Sequence, residues 1–124
     1  MEKVSLSMLV VNCKDYQPSS NWYFQKSERQ ICGTWNNPNS KGYNKNKLNK
    51  YESSDDYVLM PECPRMSDEE ASKVVKSWCE ENDIPYIDDI ENIDIAYKWY
   101  YKYGEYEDPR NTPPNAIFHW VEMH

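Results

Sequence analysis

The chain has 124 residues, 39% of them hydrophobic and 15% aromatic, with a net charge of −7. That length supports one compact domain over residues 1–124 with a single core, and 3 Gly with 8 Pro exclude a collagen-like or low-complexity chain. No apolar run approaches the ~18 residues of a membrane span, and the run at 8–11 behind Glu2 and Lys3 is too short for a signal-peptide core, so a cytoplasmic protein away from membranes is expected.

Residues 4–11 alternate Val4, Leu6, Met8 and Val10 against Ser5 and Ser7, then turn wholly apolar. The pattern predicts a strand that becomes central in a sheet. Pro18, Ser19 and Ser20 mark a turn. Two short runs, 22–24 and 31–35, flank the charged 26–30 and predict a hairpin, with Gly33 as a bulge or a point of close backbone approach. Residues 36–54 are dominated by Asn, Ser and Lys and predict a polar loop of unusual length. A short strand at 57–60 ends at Pro61.

Residues 67–82 carry the clearest helix signal. Ser67 and Glu70 make a capping box, and Asp68 and Glu69 complement the helix dipole. Ala71, Val74, Val75, Trp78 and Cys79 fall on one stripe that must be laid against a sheet.

Residues 88–103, DDIENIDIAYKWYYKY, hold the densest run of large apolar side chains. As a helix, Asp88 caps, Glu91 closes the box, and Ile90, Ile93, Tyr97, Tyr100 and Tyr101 share a face that Gly104 terminates. As a strand, Ile95, Tyr97, Trp99, Tyr101 and Tyr103 alternate with polar neighbours. β-branched and aromatic content favours the strand from Ile93 onward. Residues 105–115 are proline-rich turn chemistry, and 116–123 alternate as a closing strand, the natural antiparallel partner of 95–103. The expected fold is α+β: a mainly antiparallel sheet of about five or six strands with one principal amphipathic helix at 67–82 packed on one face.

No catalytic motif emerges. Cys13, Cys32, Cys63 and Cys79 have no C-x-x-C pair and no His at zinc-finger spacing, so buried free thiols are expected, although export would allow two disulfides. His119 lies mid-strand and His124 at the end, each without a recognisable partner. The acidic run lacks the rhythm and the glycine of a calcium loop, so neither metal nor cofactor is expected.

Charge carries the remaining signal. Residues 1–50 have eight Lys and Arg against three Asp and Glu, while 51–124 have six against eighteen. From 80 to 94 there are seven carboxylates, with no Lys or Arg between Ser77 and Tyr97. This run suggests a small acidic non-enzymatic protein that binds a partner with a basic surface and occupies it, for example a nucleic-acid-binding site. Asp83, Asp88, Asp89, Glu91 and Asp94 would meet the partner. In composition this resembles the phage anti-defence inhibitors and toxin-immunity proteins. The alternative is single-stranded nucleic-acid or nucleotide binding through Trp22, Tyr23 and Trp35, with Lys26, Arg29, Lys41, Lys45, Lys47 and Lys50 following the phosphates.

Overall fold

The computed structural model describes residues 3–16, 18–103 and 119–121. In chain order the elements are β1 (Val4–Ser5), α1 (Leu6–Lys14), β2 (Ser20–Gln25), β3 (Gln30–Trp35), α2 (Lys45–Ser53), β4 (Tyr57–Leu59), α3 (Asp68–Glu81), β5 (Tyr86–Ile87), a 3-10 turn (Ile90–Asn92), α4 (Ile93–Tyr103) and β6 (His119–Val121). The class is α+β. The single sheet with one principal helix is corrected to four helices and two small sheets among the described residues.

The larger sheet has the order β4-β2-β3-β6. Strands β2 and β3 form the expected hairpin, with Trp22 opposite Gly33 in an unbroken register, so Gly33 makes no bulge. Its turn is tied to the approach to β4. The Asp56 carboxylate accepts from the Ser27 amide at 2.9 Å, the Ser27 hydroxyl at 2.5 Å and Gln25 Nε2 at 3.2 Å, and Arg29 takes a positive φ of 51°.

Period-2 alternation sorts the hairpin's side chains onto two faces. Trp22, Phe24 and Ile31 enter the main core, whereas Tyr23 and Cys32 pack under Tyr51 of α2. Strand β4 is a three-residue edge ended by Pro61. Its outward groups are taken up locally, the Tyr57 amide by the Ser54 carbonyl and the Leu59 carbonyl by Trp78 Nε1.

Helix α3 follows its sequence signal. Ser67 accepts from the Glu70 amide at 3.1 Å, and Ala71, Val75, Trp78 and Cys79 are buried. Trp78 meets Phe24 edge-on at 6.1 Å, which joins helix to sheet.

Three expectations fail because the local pattern does not declare its period. Residues 4–11 are a strand only at Val4–Ser5; the chain then enters α1, whose residues Leu6 to Cys13 are all buried. A helix buried on every side has no polar face to reveal its turn. Residues 95–103 are helix, not strand, with Ile93, Ala96, Tyr97 and Tyr100 packed inward and Ile95 54% exposed. Residues 36–54 are not all loop, because Asn44 accepts from the Lys47 amide at 3.1 Å and starts α2. Only Leu48 and Tyr51 face inward from α2, too few for a visible stripe.

With 95–103 helical, the antiparallel ribbon disappears. The closing strand, described over His119–Val121, runs parallel to β3 instead, with Ile31 opposite Trp120. The small second sheet pairs β1 with β5 in parallel, Val4 opposite Tyr86. The proline-rich 105–115 and His124 lie outside the described residues.

Candidate functional site

The acidic segment begins at the C-terminus of α3 and ends in the first turn of α4. Glu80, Glu81, Asp83, Asp88, Glu91 and Asp94 are exposed. Asp83 takes a positive φ of 55° just past the Asn82 cap, which turns the chain back toward β5. Glu80 accepts from the Tyr86 hydroxyl at 3.3 Å. Asp88 is paired with Lys76 at 2.8 Å, and this hydrogen bond holds its carboxyl below the usual carboxylate range. Next to Asp94 stands Ile95, and it shares with Leu59 the distinction of being a largely exposed aliphatic among the described residues.

Asp89 has a different job. It is 7% exposed, and its carboxylate accepts from the Ser5 hydroxyl at 2.5 Å and the Ser7 amide at 2.8 Å. The Ser7 hydroxyl donates in turn to the Asp89 carbonyl at 2.5 Å, and Ser5 accepts from the Met8 amide at 3.3 Å as N-cap of α1. A negative group facing the amides of a helix start is favourable, and here it also satisfies groups sealed from water. Asp89 therefore fastens the 3-10 turn to α1 and is withdrawn from the set a partner can touch.

Of the aromatic and basic residues from 22 to 50, the first two rings are buried. Trp22 is 2% exposed in the main core and donates its amide to the Tyr16 hydroxyl at 2.9 Å. Tyr23, 4% exposed, lies beneath α2, 5.1 Å from Tyr51 between ring centres. Neither ring is open to a base. Trp35 is half-buried and closes over Gly42, where a Cβ would fall 2.5 Å from its Cδ1.

Lys26 and Arg29 belong to the hairpin turn, remote in sequence from Lys41, Lys45, Lys47 and Lys50, which lie on α2 and its approach. The ammonium of Lys47 sits 5.9 Å from the Tyr51 ring centre, and that of Lys50 the same distance from Tyr57. These two cations are drawn onto the protein's own rings.

A second polar cluster escaped the sequence reading. Asp68 Oδ1 accepts from Lys14 Nζ at 2.6 Å and from the Tyr97 hydroxyl at 2.6 Å, and Lys14 lies 5.7 Å from the centre of the Tyr97 ring. The Lys14 hydrogen bond, then that of Tyr97, lowers the Asp68 pKa. Tyr100 donates to the Asp15 carboxylate one turn further along α4. The five positions span 14 to 100, so no local spacing announces them.

All four cysteines are free and buried. Burial raises the thiol pKa of Cys13 well above its ordinary value and that of Cys79 to about 12, which leaves them protonated and unreactive at neutral pH. Cys32 is also shifted up by burial, against the opposing pull of Lys47. Among the described residues no group of three His, Cys, Asp or Glu is placed to hold a metal ion, and no described helix is long and apolar enough to cross a membrane. Comparison with protein-family models, curated proteins and solved structures finds no match.

Proposed function

We propose that this chain is a small, acidic, non-enzymatic binding protein that occupies a basic site on a partner protein and blocks it, in the cytoplasm. A single observation carries the reading: Glu80, Glu81, Asp83, Glu91 and Asp94 are all exposed, and Ile95, next to Asp94 in the chain, is open as well. Lys76, the nearest base before the segment, is already engaged by Asp88.

A rim of carboxylates steers a basic partner and suppresses acidic ones, while each exposed ion pair adds only about 0.2–1 kcal/mol. Affinity needs an apolar anchor that is desolvated on contact, and Ile95 has the position for it. The class of partner that fits is a nucleic-acid-binding surface, where clustered Lys and Arg are already exposed for phosphate.

The test is capture of partners from an extract of the source cells on the immobilised chain, with identification by mass spectrometry. The comparison is a variant with Glu80, Glu81 and Glu91 changed to Gln and Asp83 and Asp94 to Asn. The expected outcome is a basic protein retained by the native chain and lost by the variant. Retention unchanged in the variant would remove the acidic face from the account.

A further inference from the structure

Helix α1 is buried along its length, and α4 is one of the elements that cover it. Ile93, Tyr97 and Tyr100 pack on the core beside Ala96. The cover is thin. Of the α4 side chains the structure describes, Ala96 alone is buried, while Asp94, Ile95 and Lys98 are exposed. Helix α3 sinks Ala71, Ser72, Val75, Trp78 and Cys79 by comparison.

Polar contacts supply much of the attachment. The Tyr97 hydroxyl and Lys14 Nζ meet on one oxygen of Asp68, each at 2.6 Å, and Tyr100 donates to Asp15. Lys14 and Asp15 end α1, and Asp68 begins α3, so two phenols of α4 are clamped where the other two helices meet.

We infer that α4 is a separately opening cover of α1, latched by Lys14, Asp15 and Asp68 acting on Tyr97 and Tyr100. Segments with little buried apolar surface open well before the whole molecule unfolds. Charge-assisted hydrogen bonds are the strong members of such an attachment, and loss of one partner loosens the helix.

The latch also regulates the face described above, a consequence that rests on the binding reading. Asp94 and Ile95 ride on α4, and Glu91 sits in the turn before it. A partner that grips them in the closed position binds more tightly when the latch is intact, and it strengthens the latch by the same factor.

Hydrogen exchange of the whole chain, followed by mass spectrometry, tests the cover without any partner. Amides of α4 are expected to exchange faster than those of α1 and α3. Tyr97→Phe, which keeps the ring, should speed α4 exchange about tenfold or more with α3 unchanged, because one hydrogen bond to a charged group is lost. Asp68→Asn, which leaves the Ser67 cap in place, should act in the same direction. Exchange of α4 and α3 at one common rate in the native chain and both variants would overturn the inference. Failure to capture a partner bears only on the binding reading, because exchange is measured on the chain alone.

Discussion

Asp88 and Asp89 are neighbours of one type with opposite fates. The first points to water and pairs with Lys76; the second is buried and holds the start of α1. Asp89→Ala leaves the Ser5 hydroxyl and the Ser7 amide without their acceptor in a sealed site, and is expected to lower unfolding free energy by about 3 kcal/mol in urea titration. Asp88→Ala removes an exposed pair, so the same titration should move by less than about 1 kcal/mol. Equal effects would contradict the division of roles. Gly42 offers a second residue-level test. A methyl there meets the Trp35 ring at 2.5 and 2.6 Å, and Gly42→Ala is expected to destabilise by about 1–3 kcal/mol as the ring is displaced.

At the level of elements, ionic attachments give the molecule an acid limit. Asp68, Asp56 and Asp88 each have a folded pKa below the ordinary 3.8. Hydrogen bonds to Lys14, to Ser27 and to Lys76 respectively lower them, against the burial that opposes this at Asp56. A depressed carboxylate stabilises the fold above the unfolded pKa and stops doing so as pH falls through the folded one. Thermal midpoints should therefore hold steady near neutrality and decline below about pH 4. Asp68→Asn should flatten part of that decline, and a decline that begins near pH 6 would point to other groups.

How far the elements were legible depended on whether their pattern had two sides. Helix α3 shows a polar face and an apolar stripe behind Ser67, and the hairpin alternates Trp22 and Phe24 against Tyr23, so both could be read. Helix α1 has no outer face, and its Val10 and Val11 favour a strand in isolation; long-range contacts such as the Ser5–Asp89 cap, made across 84 residues, decide otherwise. In α4 the aromatics satisfy both periods at once, and the packing of Ala96 and Tyr97 selects the helix. The acidic run of the candidate site was visible, but the burial of Asp89 and the Lys14–Asp68–Tyr97 cluster depend on contacts that no spacing records.

The whole molecule is layered. One face of the β4-β2-β3 sheet carries Phe24 and Ile31 into the core shared with α1 and α3; the other carries Tyr23 and Cys32 under α2. The lysines of α2 thus lie across the sheet from α3, whose end begins the acidic segment. An acidic face meeting a basic partner gives an association rate that falls steeply with ionic strength while dissociation changes little.

Binding of the captured partner, followed by surface plasmon resonance at about 0.05 M and about 0.5 M salt, separates electrostatic steering from apolar anchoring, since screening shortens from roughly 14 Å to roughly 4 Å between them. The native chain is expected to associate at least tenfold faster at the lower salt, with the five-site neutralised variant slow at both and Ile95→Ala raising the dissociation rate instead. Equal rates for native and neutralised chains at both salts would mean that the 80–94 face is an ordinary solvated surface.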